Sequence, residues 1–203
     1  DPPVATLLEG NKWRITINVA EFDEVKEIRL VGNTVLSNED IMKVITLQPG
    51  QPFNLNEQNA TGKAIDELYR SKGYFALIEQ LEPLADSPST VSIVIRESKV
   101  RTVVIQGNTR TKDRIVRSIV KTRPGDVFNE PKWIRELQGL LSTQWFEKVD
   151  YDQRFEEGDF NLTVALKEGR TALLNVGAAI DPRSNIAGHV SFYETNFRGT
   201  GQT

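Results

Sequence analysis

The stretch Ile28–Asn54, IRLVGNTVLSNEDIMKVITLQPGQPFN, is said again from Val103 as VVIQGNTRTKDRIVRSIVKTRPGDVFN, and nothing else in the chain restricts its fold as much. Gly32 and Gly107, Asn33 and Asn108, Thr34 and Thr109, Pro49 and Pro124, Gly50 and Gly125, Phe53 and Phe128, and Asn54 and Asn129 are each 75 positions apart. Most of these are turn residues kept in one register. Each copy is therefore one structural unit, and the fold is that unit repeated.

Composition closes off several classes. There is no Cys, so the chain has neither a disulfide framework nor a thiolate metal site. A net charge of −3 carries no footprint for nucleic acid or anionic lipid. No apolar run approaches the roughly 20 residues of a membrane helix. The opening Asp1-Pro2-Pro3 has no initiator Met or signal peptide, which reads as a mature or trimmed piece.

The order of elements follows from periodicity. Residues 1–24 read as the tail of an earlier copy: Ile15, Ile17 and Val19 alternate with polar neighbours in one strand, expected to be an orphan that frays or pairs where it can. That strand, Thr90–Glu97 and Leu162–Glu168 match one another, and all end in Glu: Glu21, Glu97 and Glu168. The first complete unit, 25–98, opens with a strand at Lys26–Val31 and the Gly32-Asn33 turn. Ser37 with Asp40 predicts a capped helix burying Ile41, Val44 and Ile45, with Leu36 stapled onto it. Asn54 or Asn56 opens a second helix whose Ala60, Ala64, Ile65 and Leu68 form its inner face. A strand follows from Tyr74 to Leu84, with imperfect alternation that leaves room for a bulge. Asp86–Ser89 is read as the turn before a last strand carrying Val91, Ile93 and Ile95.

The second unit, 99–169, repeats this order: a strand at Val100–Gln106, a helix capped at Thr111 or Asp113, and a helix opening at Asn129-Glu-Pro131 with Trp133, Leu137 and Leu140 inside. The offset falls from 75 to 71 after it, so that helix or its exit loop is four residues shorter. A hairpin of Trp145–Arg154 and Phe160–Leu166 closes the unit around Glu156–Asp159. The fold class is α+β, with β-α-α-β-β units that place two helices on one face of a three-stranded sheet. Residues 170–203 change character: two strands apolar on alternate residues, each about 10 long, have the period of an outer-membrane barrel but cannot close alone.

Tandem β-α-α-β-β units, the strand–Gly-Asn–helix–Pro-Gly-x-x-Phe-Asn opening and a barrel-like hairpin together resemble the polypeptide-transport-associated (POTRA) repeats of the outer-membrane assembly superfamily that includes BamA and the chloroplast import channel. Asn196-Phe-Arg-Gly-Thr-Gly201 resembles a segment near the start of that family's barrel. The resemblance implies tandem POTRA domains followed by a truncated antiparallel β-barrel hairpin. It places the chain at the outer membrane, with these repeats on the periplasmic side or the equivalent side of a plastid envelope. The implied partners are unfolded outer-membrane or translocated polypeptides, accessory assembly proteins, and the membrane through a full-length barrel, with no nucleic acid. A two-partner secretion pore and a passive spacer are the alternatives.

No Ser-His-Asp set, phosphate loop or paired carboxylates stand out, so the chain reads as no enzyme and calls for no cofactor. His189, the only His, lies in a barrel-type strand without Cys nearby and is no metal candidate. Phe53 and Phe128 read as core anchors. The candidate site is backbone. In this family the second strand of each sheet is an edge, which places the open N–H and C=O groups along Phe75, Ala76, Leu77, Ile78, Glu79, Gln80 and Leu81 in one repeat. In the other they lie along Phe146, Glu147, Lys148, Val149, Asp150 and Tyr151. An extended client strand can add there through main-chain bonds, with little dependence on its sequence. Glu79, Lys148 and Asp150 are the residues that would instead blunt these edges.

Overall fold

A computed structural model of the chain describes residues 4–8, 12–16, 24–181 and 185–202. Ahead of the repeats, β1 (Val4–Leu8) pairs antiparallel with β2 (Lys12–Thr16), Val4 opposite Thr16. The strand expected to fray or pair where it can thus has a partner over Lys12–Thr16, while Ile17, Val19 and Glu21 lie outside the described residues.

The first repeat runs β3 (Glu27–Val31), α1 (Asn38–Val44), α2 (Leu55–Ser71), β4 (Ala76–Leu84) and β5 (Ser87–Glu97). The sheet order is β3-β5-β4, parallel between β3 and β5 and antiparallel between β4 and β5. Alternation decides what is buried: Val91, Ile93 and Ile95 of β5 share one core with Ile41 and Ile65 of the helices and Ile45 just past α1, all at 3% exposure or less. Ser37 caps α1, its Oγ accepting from the Asp40 N–H and donating to the Asp40 carboxylate. Asn54, not Asn56, caps α2.

Three expectations give way here. The inner face of α2 is Thr61, Ile65 and Tyr69 at i, i+4 spacing, and Ala60 is exposed. Thr61 and Tyr69 go inside because their hydroxyls find Thr46 Oγ1 and the Glu97 carboxylate. The β4–β5 turn is Ala85-Asp86, with Ser87 already opposite Leu84. Pro88 is tolerated because β3 pairs with β5 only from Thr90 onward. Tyr74 and Phe75 precede β4, and Tyr74 instead bridges to Asn129 of the next repeat.

The second repeat runs β6 (Val100–Gln106), α3 (Asp113–Ile119), α4 (Glu130–Ser142), β7 (Phe146–Glu156) and β8 (Asp159–Glu168), with sheet order β6-β8-β7. Its core joins Val116, Phe128, Trp133, Leu140, Leu162 and Val164, each fully buried. The offset change is in the helix itself, since α4 has 13 residues against 17 in α2. Neither Thr111 nor Asp113 caps α3: its N-cap is Lys112, which makes no side-chain capping bond. The hairpin turn Glu157-Gly158 has both residues at positive φ, 51° and 87°. Beyond it, β9 (Ala172–Asp181) and β10 (Asn185–Glu194) pair antiparallel in an unbroken register. Leu174, Val176, Val190 and Phe192 of that hairpin are more than 60% exposed.

Candidate strand-addition edges and the joints beside them

The residues that close each repeat fix its opening loop. Glu97, 5% exposed, accepts from the backbone N–H of Thr34 and Val35, from Thr34 Oγ1 and from the Tyr69 hydroxyl at 3.0 Å. Glu168 does the same one repeat later, accepting from the N–H of Arg110 and Thr111, from Thr109 Oγ1 and from the Arg110 guanidinium at 3.2 Å. Burial pushes both carboxyls up, but these donors outweigh it: Glu97 is held below its ordinary value and Glu168 at about 2. The same burial and the Glu97 carboxylate push the Tyr69 hydroxyl well above its ordinary value. The loop's turn needs Gly. Gly32 and Gly107 sit at φ 91° and 93°, and a Cβ on either would overlap the carbonyl oxygen of Ile95 or Leu166.

The sheet order leaves β4 and β7 as edges; Ala76–Leu81 and Phe146–Tyr151 lie on them, while Phe75 precedes β4, and not all of these residues are open. At the start of the first edge, the Phe75 carbonyl accepts from Ser98 N–H at 2.8 Å. At its end, the Leu81 carbonyl accepts from Gln58 Nε2 at 2.7 Å. A register break between Ile78 and Gln80 makes Glu79 a bulge, and Glu79 pairs with Arg96 at 2.8 Å. The open length narrows to Ala76–Gln80. On the second edge Phe146 is buried and Glu147 lies at a register break, but the register then runs unbroken from Lys148 to Glu156. Lys148 pairs with Asp150 at 2.7 Å and Asp152 with Arg154 at 2.8 Å, so charges line this edge. β3 and β6 are edges too, at 5 and 7 residues. Sequence reasoning did not single them out.

Two joints flank the edges. Between the repeats, Phe75 packs against Phe128 and Phe160, ring centroids 5.9 and 5.1 Å away. Glu130 N–H donates to the Gly73 carbonyl, Phe128 N–H to that of Ser98, and Asn129 Nδ2 to that of Lys72. Arg96 of β5 donates from Nη2 to the Glu157 carbonyl at 3.1 Å. The second joint holds the chain after β10 against the second repeat. Asn196, 7% exposed, donates from Nδ2 to Thr111 Oγ1 at 2.8 Å, and its Oδ1 accepts from Gly201 N–H. Lys112 N–H donates to the Gly199 carbonyl and Trp145 Nε1 to that of Thr195. This is why Thr111 does not cap α3: its hydroxyl is engaged 85 residues along the chain. The only signal for this joint in the sequence was the Asn196–Gly201 motif.

A profile of the POTRA family, described as surface antigen variable number repeat, matches residues 24–98 and 98–169. The outer membrane protein assembly factor BamA of Nitratidesulfovibrio vulgaris is 26% identical over 181 residues, covering 83% of this chain and 22% of its own length. That of Neisseria meningitidis serogroup B is 22% identical over 215 residues, covering all of this chain and 27% of its own. The chain spans about a fifth to a third of the curated relatives it matches. Among solved structures, the N-terminal domain of Omp85 from Thermosynechococcus elongatus superposes with a TM-score of 0.66 at 25% identity, over 84% of this chain and 76% of that one. CdiB from Escherichia coli gives 0.64 at 15% identity, over 91% and 35%, a likeness of fold alone.

Proposed function

The chain belongs to the POTRA family, two copies of which fill residues 24–98 and 98–169, and from that premise we propose that it is the periplasmic part of an outer-membrane β-barrel assembly or translocation factor. In this reading the β1–β2 hairpin closes a preceding repeat, and the β9–β10 hairpin begins the barrel. The repeats take extended client polypeptides onto the edges of β4 and β7 and dock accessory partners, beside the membrane.

The observation that carries the reading is a pair of edges with no neighbouring strand among the described residues: Ala76–Gln80, and Lys148–Glu156 with its unbroken register. Backbone groups on an edge bind an added strand whatever its side chains, which suits handling many unrelated clients. Nothing in such binding consumes a nucleotide or forms a covalent bond. The test is an NMR titration of the chain with several unrelated amphipathic strand peptides. Shifts of the amides in those two stretches, for more than one peptide, are expected. Flat spectra at millimolar peptide would remove strand addition and leave the repeats as spacers or partner docks.

A further inference from the structure

We propose that the cavity at the joint between the two repeats anchors one apolar side chain, aromatic by preference, of the polypeptide that lies along β4. This deepens the strand-addition reading and rests on it. The cavity measures about 480 Å³ and is walled by Phe75, Leu77, Phe155 and Phe160. Phe155 remains 52% exposed and Leu77 38% exposed beside it. Rings on its walls favour a ring as occupant, through offset or edge-on packing.

Two polar atoms in the wall point to a polypeptide rather than a bare hydrocarbon. Ser98 is 1% exposed and lines the cavity, yet its Oγ has no hydrogen-bond partner among the described residues. Gln153 Oε1 is likewise buried and unpartnered there. Buried polar atoms are rarely left so. An extended main chain brings N–H groups for the Gln153 oxygen and either donor or acceptor for the Ser98 hydroxyl. The rim carries one charge of each sign, Arg70 and Glu130, and Arg70 is already tied to Asp66 at 2.7 Å. That balance offers nothing to an anionic headgroup and suits a neutral side chain.

The placement also joins the two edges. β7 ends at this cavity and β4 begins there. An extended polypeptide passing from one edge to the other therefore meets both in the same polarity, with the anchored side chain between.

The test titrates the whole 203-residue chain with two peptides of ~10 residues, a strand's length, identical except for one central Phe→Ala change. Both are expected to shift the amides of Ala76–Gln80. The Phe peptide should shift the Gln153 side-chain amide the more strongly of the two, and it should bind roughly tenfold tighter. Phe155→Ala should erase that preference. Gln153→Leu should weaken the Phe peptide and serves if the first variant fails to fold. Edge shifts with equal affinity for the two peptides would overturn the anchor and leave strand addition standing. No edge shift from either would overturn both. An equal Gln153 response to dodecyl maltoside would give the cavity to an acyl chain and overturn the polypeptide occupant.

Discussion

Glu168 ties the last strand of its repeat to the first loop through donors that only its ionised form can accept together. A carboxyl held at about 2 against an ordinary 4.5 contributes stability that is complete above pH 4.5 and is lost as pH falls toward 2. Glu168→Gln should lower the unfolding free energy by about 2 kcal/mol in urea melts at neutral pH. It should also flatten the acid limb of stability against pH between those two values, while a wild-type chain melts progressively there. Two glycines of the same repeat, Gly107 in that loop and Gly125 between α3 and α4, allow a sharper contrast. Gly107→Ala places a Cβ on the Leu166 carbonyl, whereas Gly125, at φ 94°, has nothing within 4 Å of the added carbon. Gly125→Ala should cost about 1 kcal/mol from backbone strain alone, and Gly107→Ala clearly more; thermal denaturation of both variants checks the order. The sequence displayed Glu97 and Glu168 at matching positions. Their partners could not be read from it, because Thr34 and Thr109 come within reach only after β3 and β6 lie beside the closing strands.

At the scale of elements, strands and caps were largely legible and helix faces less so. Val100–Gln106 was bounded correctly from alternation, and the bulge in β4 announced itself as broken alternation. On α2 apolar spacing marks Ile65 and Leu68 but not the rest of the face, where hydrogen bonding decides: Thr61 and Tyr69 are buried with partners, and Ala60 is left outside. The two caps are equivalent in sequence but unequal in structure. Asn54 caps α2 alone, while Asn129 caps α4 and also donates to the Lys72 carbonyl of the preceding repeat. Asn54→Ala should cost about 1 kcal/mol, the ordinary loss of a cap. Asn129→Ala should cost more and raise hydrogen exchange at Glu130 and Phe128, whose amides span the joint. Equal costs in denaturant melts would mean the bond to Lys72 is idle.

At the scale of the molecule, the joints decide whether the repeats move together. The candidate edges were placed by analogy with a family fold; the structure adds that Phe75 and Leu81 are spoken for at their carbonyls, which no sequence pattern displays. Phe75 belongs to one repeat and packs chiefly on rings of the other, Phe128 and Phe160. Phe75→Ala should leave each core folded and loosen the pair. Residual dipolar couplings that fit one alignment tensor in the wild type should then require two. Trp145→Phe removes the Nε1 donor to the Thr195 carbonyl at the other joint, and should broaden the amides of Asn196–Thr200 without shifting β3 or α1.

The parallel pairing of β3 with β5, and of β6 with β8, has a geometric consequence. Had the first and last strands of a unit been antiparallel, the chain would leave each unit at the end where it arrived, and successive copies would crowd one side. Being parallel, they deliver the chain to the far end of the sheet, where only Ser98 and Lys99 separate β5 from β6. An array built on this rule extends by one rung per copy, like a telescoping rod with a fixed stop at every joint. Duplicating or losing a unit then alters reach in whole steps and leaves the gauge of each step unchanged.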